Sequence, residues 1–462
     1  MIRQSIKDIL AACYGSIIQE GSIEFIEGVS TDSRTTKKQN LFIPLVGENF
    51  DGHKFISTAK DKGATATLCE KGKSIDLKDL KDIYIIEVDD TLKALQNISK
   101  YYKDLFDIPF IAITGSTGKT STKDMISSIL SQKYNVLRNE GNLNNHIGLP
   151  LTIFNLDNDH EIAALEMGMS DLGEILNLTE IVKPHIAVIT NIGLSHIEHL
   201  GSRENIMKAK MEVTTYLNEK DYLLINGDDD LLMELRNTES TYKKVFFGLS
   251  KKNDIYPKNL ANRGEKGFVF DVEVDGEDHS FTIHQPGIHN VYNALVGIWI
   301  GIYNKLTIKE IKDGLEFYTP SKMRMEILVA KDIKVINDAY NASPDSMKAA
   351  LSVLERMNGN KKIAVLGNML ELGDFSEEGH RIVGKYSIDK VDILITIGDE
   401  AKEIAIGAKM DKGSVKEIYT VSSNREAYNI LDKVLEKDDI VLVKGSRGMT
   451  MEEIVMHLQE RS

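Results

Sequence analysis

Ile111-Ala112-Ile113-Thr114-Gly115-Ser116-Thr117-Gly118-Lys119-Thr120-Ser121 is a β-branched apolar run that breaks into glycine, lysine and hydroxyl residues before a helical pattern begins. That grammar is a phosphate-binding loop. Glycines let backbone N–H groups turn onto an anion, a helix starting at Thr120 adds its positive dipole end, Lys119 can reach terminal phosphates, and Thr120 can ligate Mg²⁺. Met125, Ile126, Ile129 and Leu130 fall on one helical face. The usual G-x-x-x-x-G-K-[ST] pattern would put its first glycine at position 113, where this chain has Ile113. The loop is therefore a shorter T-G-x-x-G-K-T-S form, read as a nucleoside triphosphate site.

A chain of 462 residues is long enough for about three domains, each with its own core. With 42% apolar and 27% charged residues the composition is that of a water-soluble globular protein, and no apolar stretch approaches the roughly 18 residues of a membrane span. The N-terminus has charges at helical spacing and no sustained apolar core, so a secretory signal and membrane insertion are not expected, and the cytoplasm is. Cys13 and Cys69 form neither a C-x-x-C pair nor a framework. A net charge of −14 argues against a nucleic-acid partner and means that an anionic ligand must be met by local positive charge.

Patterns restart near Asp89-Asp90-Thr91 and again at Tyr318-Thr319-Pro320-Ser321. They divide the chain into segments 1–89, 90–318 and 319–462. The middle segment alternates strands (Phe110 to Thr114, Ile162 to Glu166, Ile186 to Thr190, Tyr222 to Asn226) with helical patterns, which predicts a doubly wound, mostly parallel sheet with ligands at strand C-terminal ends. The last segment repeats this grammar with strands at 325–329, 333–337, 362–366, 393–397 and 440–443, predicting a second, Rossmann-like α/β unit.

Two further sites end predicted strands of the middle segment. Glu166 closes one of them and can serve the Mg²⁺ of a nucleotide. His196 follows another, in Asn191-Ile192-Gly193-Leu194-Ser195-His196; no third nitrogen or sulfur ligand accompanies His196 and His199, so zinc is not expected. Lys210, in Lys208-Ala209-Lys210-Met211-Glu212, is by spacing alone part of a charged helix face.

In this order the motifs resemble the Mur ligases. The resemblance covers nearly the whole chain: the short phosphate loop Thr114 to Ser121, Gly141-Asn142-Leu143-Asn144-Asn145 with Ile147-Gly148-Leu149-Pro150, Glu166-Met167-Gly168, Asn191-Ile192-Gly193, His196 and Ala209-Lys210. It implies a three-domain α/β ligase: an N-terminal uridine-nucleotide domain, a central P-loop ATPase domain, and a C-terminal domain that closes on ATP and presents an amine. Implied cofactors are ATP, two Mg²⁺ ions, and a CO₂-derived carbamate on Lys210. Lys119, His196 and Lys210 are the implied catalytic set, with Thr120, Glu166, His196 and carbamylated Lys210 at the metals. The nucleotide set is Thr114, Gly115, Ser116, Thr117, Gly118, Lys119, Thr120 and Ser121, with Asn290, Asn293, Arg324 and Asp338. Substrate contacts are implied for Ser33, Arg34, Glu48, Asn49 and Phe50 in the first domain, Asn142, Asn144 and Asn145 in the second, and Tyr340 and Asn341 in the third.

Asn341-Ala342-Ser343-Pro344 stands where the diamino-acid-adding relatives carry Asp-Asn-Pro. The implied substrates are therefore UDP-N-acetylmuramoyl-tripeptide and D-alanyl-D-alanine, joined through an acyl phosphate during peptidoglycan precursor synthesis by a monomer. His146 and Asn368 depart from the family pattern, away from the phosphate and metal motifs. The rivals are another amide ligase of the same fold, such as a folylpolyglutamate synthase, and a nucleotide-dependent switch. The Asp32-Ser33-Arg34 block speaks against folate, and Glu166, His196 and Lys210 would be needless in a switch.

Overall fold

The computed structural model describes residues 1–410 and 415–461. Three sheets organise it. The middle one has six strands in the order Val136–Arg138, Ile162–Glu166, Phe110–Thr114, Ile186–Ile189, Tyr222–Asn226, Lys243–Phe247, every neighbouring pair parallel. Its strands read as near-continuous aliphatic runs because both faces are covered, as an all-parallel sheet requires. Phe110–Thr114 lies between Ile162–Glu166 and Ile186–Ile189, where strand order changes direction, so the turns after residues 114, 166 and 189 open over one crevice.

Helix Lys119–Leu130 follows the phosphate loop, and its Met125, Ile126, Ile129 and Leu130 are all fully buried. It packs on helix His289–Tyr303, where Gly297 lets the Ile129 side chain approach; a Cβ there would sit 2.6 Å from Ile129 Cδ1. Helix Thr91–Lys103 starts where Asp90 accepts from Lys93 N, and its Tyr102 hydroxyl contacts both Ile2 N and Leu156 O at 2.7 Å, bridging the first and second units.

The N-terminal sheet runs Ser16–Gln19, Tyr84–Val88, Ala66–Glu70, Asn40–Phe42, Gly28–Ser30, parallel except for its first pair. The C-terminal sheet runs Glu326–Ala330, Ile333–Asn337, Ile440–Lys444, Lys362–Gly367, Ile393–Ile397, Glu417–Val421, again parallel except for its first pair.

One element departs from the alternating pattern read for the middle segment: a three-stranded antiparallel sheet, Lys258–Asn262, Phe268–Val274 and Glu277–Ile283, precedes helix His289–Tyr303. Phe268, Phe270 and Val272 alternate with more exposed neighbours on its central strand, and Asp275-Gly276, both at positive φ, turn the hairpin. This is the two-residue turn whose twist matches paired antiparallel strands.

Candidate active site

Gly115 sits at φ +149, and a Cβ there would fall 1.8 Å from Thr190 Oγ1; Gly118, at φ +80, caps the following helix. Only glycine fits the first position, so the loop lies directly on the turn after the neighbouring strand. That turn holds it: Thr117 N donates to Asn191 Oδ1 at 2.9 Å and Thr190 Oγ1 donates to Thr117 O at 2.6 Å. Lys119 Nζ folds back onto Gly115 O at 2.7 Å. Burial, and after it the charge of Arg324, lower its pKa against the opposing pull of Glu166. The hydroxyls of Thr114 and Ser116 are buried without a hydrogen-bond partner, a cost that anionic oxygens at the loop would relieve.

Glu166 is 3% exposed at its strand end. Its carboxylate accepts from Thr120 Oγ1 and from Asn144 Nδ2, both at 2.7 Å. Asn139 fixes the same residue from behind, donating to Glu166 O and accepting from Glu166 N. A hydroxyl and a carboxylate side by side at a phosphate loop are hard oxygen donors of the kind Mg²⁺ takes together with phosphate oxygens. Among the described residues no group of three or more His, Cys, Asp or Glu side chains forms a cage of its own, so such an ion would depend on the nucleotide. The residues present fit that case.

Lys210, the last-turn lysine of helix Arg203–Met211, is 1% exposed while Lys208 is exposed. Desolvation, reinforced by the positive charge of Lys119, pushes its pKa well below the ordinary lysine value. Spacing alone made it part of a charged helix face, but it lies in the interior with its amine biased to the neutral form.

A cleft of about 710 Å³ collects residues from the central and C-terminal units. Of the expected nucleotide and metal residues, Ser116 to Ser121, Glu166, His196, Asn290, Asn293, Arg324 and Asp338 line it, as do Asn142, Asn144, Asn145, Tyr340 and Asn341. Thr114, Gly115 and Lys210 do not form its walls. Asn145 Oδ1 accepts from Gly148 N at 2.8 Å and so caps a helix start. Asn290 Nδ2 donates to Pro286 O, and Asn293 Oδ1 accepts from Thr122 Oγ1 at 2.9 Å, tying the two packed helices together.

On the facing wall the Arg324 guanidinium lies 4.1 Å from the centre of the Tyr340 ring, between Met323 (φ 60) and Met325 (φ 52). Asp338 accepts from buried Lys444 at 2.6 Å and from Met325 N at 3.0 Å. His289, at the start of the central unit's helix His289–Tyr303, also lines the cleft, its pKa lowered by burial. Asn139 was not singled out from the sequence, where it is one amide at a strand end; His289, Lys444 and Glu371 acquire individual roles only when the C-terminal unit is placed across the cleft.

The first-domain residues do not line this cleft. Ser33 is 7% exposed. The exposed Arg34 pairs with Asp32 at 2.7 Å, which holds that carboxyl at about 2. Glu48 and Asn49 are exposed beside Phe50, whose ring stacks on Phe55 at 5.5 Å.

A phosphate loop on a doubly wound sheet, with a second α/β unit closing the far wall, defines a nucleotide-using enzyme of two apposed domains. Family models agree in order along the chain: Mur ligase family, catalytic domain, over residues 25–103; Mur ligase middle domain over 113–301; and Mur ligase, glutamate ligase domain, over 323–447. The chain belongs to the Mur ligase family. It is similar to the UDP-N-acetylmuramoyl-tripeptide--D-alanyl-D-alanine ligase of Bacillus subtilis (strain 168), at 41% identity covering 100% of this chain and 99% of that one. It is also similar to the enzyme of the same name from Escherichia coli (strain K12), at 30% identity covering 96% and 95%. Among solved structures, MurF from Acinetobacter baumannii superposes with a TM-score of 0.90 at 28% identity, covering 99% of each chain. MurF ligase from Thermotoga maritima in complex with ADP gives 0.82 at 27%, covering 94% and 97%. No helix among the described residues is long and apolar enough to cross a membrane.

Proposed function

We propose that this chain is an ATP-dependent ligase that joins D-alanyl-D-alanine to UDP-N-acetylmuramoyl-tripeptide, forming an amide and releasing ADP and phosphate in peptidoglycan precursor synthesis. The observation that carries the reading is the shared cleft: the phosphate loop and Glu166 on one wall, Arg324, Tyr340 and Lys444 on the other. A switch needs only the first wall; a transfer between two substrates needs both.

In this mechanism the tripeptide's terminal carboxylate attacks the γ-phosphorus of ATP, giving an acyl phosphate and ADP. The dipeptide amine then adds to the acyl carbon, and phosphate leaves from the tetrahedral intermediate as the amine loses its proton. Positioning and charge neutralisation supply most of the rate. Thr114 to Ser121 cradle the phosphates with Lys119 against their charge, and Asn290, Asn293, Arg324 and Asp338 complete the nucleotide site. Ser33, Arg34, Glu48, Asn49 and Phe50 hold the uridine end, Asn142, Asn144 and Asn145 the peptide side, and Tyr340 and Asn341 the incoming amine.

Thr120, Glu166, His196 and Lys210 as its carbamate would hold two Mg²⁺ ions, which when bound neutralise phosphate charge. A neutral amine is the form that adds to CO₂, and burial of Lys210 favours it. The working units are 1–89, 90–318 and 319–462, and the enzyme acts as a monomer in the cytoplasm, where ATP and the soluble precursor meet.

The test is phosphate release from ATP with UDP-N-acetylmuramoyl-tripeptide, scanning D-alanyl-D-alanine against single amino acids. Release should require both the precursor and the dipeptide. Equal release without the dipeptide, or with a single amino acid in its place, refutes the assignment.

A further inference from the structure

His196 and Glu371 face each other across the seam between the central and C-terminal units. His196 Nδ1 lies 2.6 Å from Glu371 Oε2 in a charge contact whose angle falls short of a formed hydrogen bond, with the side chains 20% and 50% exposed. Both residues line the cleft, and both are non-glycine residues in the left-handed region, at φ 65 and φ 64. Such conformations persist where surrounding structure imposes them and gather at functional sites. The backbones meet as well: Glu198 N donates to Glu371 O at 3.3 Å. Gly373, at φ +49, lies so close to Glu198 that a Cβ would come 3.2 Å from that residue's own Cβ. A turn of the C-terminal unit is thus seated on the loop that presents the histidine.

We propose that Glu371 is a positioning residue for His196, so that the imidazole is set for the metal centre only when the C-terminal unit is docked; this rests on the ligase reading of the cleft. A carboxylate offers only acceptors, so a neutral imidazole against it keeps its proton on Nδ1 and leaves the Nε2 lone pair free toward the cleft. Carboxylates behind metal-binding histidines fix ring and tautomer in this way. What is particular here is that the carboxylate comes from the C-terminal unit, which would tie metal readiness to the docking of that unit. A second contact across the same seam provides the control. Lys334 Nζ pairs with Glu265 Oε2 at 2.7 Å, and Asn358 N donates to the same carboxylate, yet neither Lys334 nor Glu265 lines the cleft.

The experiment uses the full chain labelled with ¹⁵N-histidine, without nucleotide, and reads the His196 ring nitrogens, identified by their loss in His196→Asn. Wild type and Glu371→Gln, whose amide oxygen still accepts, should show one tautomer with the proton on Nδ1. Glu371→Ala should show a mixture, and Glu265→Ala should match wild type. With ADP present, Mn²⁺ affinity followed by electron paramagnetic resonance should fall about tenfold in Glu371→Ala and stay within about twofold of wild type in Glu265→Ala. An unchanged His196 spectrum in Glu371→Ala overturns the proposal, and so does equal damage from Glu265→Ala, which would reduce Glu371 to an ordinary domain contact. Failure of the wild type to release phosphate with precursor and dipeptide would refute the ligase reading alone, because the ring measurement needs no turnover.

Discussion

Lys210→Met should stabilise the protein and destroy its activity. Lysine and methionine are similar in length, but burial penalises a charged amine while the thioether carries no charge. Because folding depresses the Lys210 pKa, the unfolded chain binds the proton more tightly than the native state, and stability rises with pH through the interval between the two pKa values. The variant's advantage over wild type is full below the lowered native pKa and closes as pH climbs toward about 10.4, the value of a free lysine. Each unit of depression corresponds to about 1.4 kcal/mol, and one unit alone moves the Tm of a domain of 150–250 residues by roughly 3–6 °C. Thermal unfolding in CO₂-free buffer at pH 7 and pH 10 measures this directly. Phosphate release should fall on the order of 10²–10³-fold or more, as for loss of one electrostatic contact at a reacting centre, and wild-type activity in CO₂-free buffer should be restored by bicarbonate. A less stable Lys210→Met at pH 7, an advantage that grows toward pH 10, or activity within tenfold of wild type would each refute the reasoning.

Lys119→Ala should lower kcat on the order of 10²–10³-fold with an unchanged fold by circular dichroism; activity within tenfold at saturating ATP removes the lysine from the chemistry. Gly115→Ala adds backbone strain of roughly 1–3 kcal/mol to a clash with Thr190, so Tm should drop and the KM for ATP rise together, and a neutral outcome would mean that the loop can shift off its neighbouring turn. Arg34→Ala, at an exposed residue outside the cleft, should raise the KM for the uridine precursor about tenfold, a loss of about 1.4 kcal/mol in binding, while the KM for ATP and the Tm hold; a parallel rise for ATP contradicts the separation of the two sites. Lys444→Met leaves the Asp338 carboxylate without its buried partner and should cost about 3 kcal/mol in urea unfolding, with part of the loss recovered in the Asp338→Asn, Lys444→Met double variant.

The phosphate loop and parallel sheets were legible because local rules and the global fold agree there: a β-branched run can only be a buried strand, glycines at 115 and 118 can only be a turn, and the face from Met125 to Leu130 can only be a packed helix. Glu166 was legible for the same reason, as a carboxylate at a strand end beside that loop. The antiparallel hairpin was missed although Asp275-Gly276 signals it, because the surrounding strand-helix alternation gave a plausible continuation without it. Lys210 was beyond pattern reading. Its burial depends on how helix Arg203–Met211 packs against helices Glu174–Val182 and Ile197–Leu200, and a lysine in a charged run reads as solvated whichever way the helix faces. Asn368, a departure from the family pattern, ties strand ends together: its Oδ1 accepts from Ala401 N at 2.8 Å, its carbonyl accepts from Ser446 N, and Gly398 at φ +104 packs against its amide. His146, by contrast, does line the cleft.

A chain with fourteen excess negative charges that handles nucleotide phosphates must place its cations rather than multiply them. Lys119, Arg324 and Lys444 come from three separate segments and meet in one cleft, and the structure treats each differently. Lys444 is neutralised in place by Asp338. Arg324 lies over the Tyr340 ring, and Lys119 rests on the neutral carbonyls of Gly115 and Ser116. Among the described residues neither Arg324 nor Lys119 has an ion pair, and the charge of Arg324 contributes to lowering the Lys119 pKa. A polyanion between them removes that repulsion. Since one cation belongs to the central unit and the other to the C-terminal unit, the same anion draws the two walls together. In the proposed mechanism nucleotide binding and docking of the two units would be one electrostatic event, and the Glu371 contact with His196 would link the proposed metal centre to it.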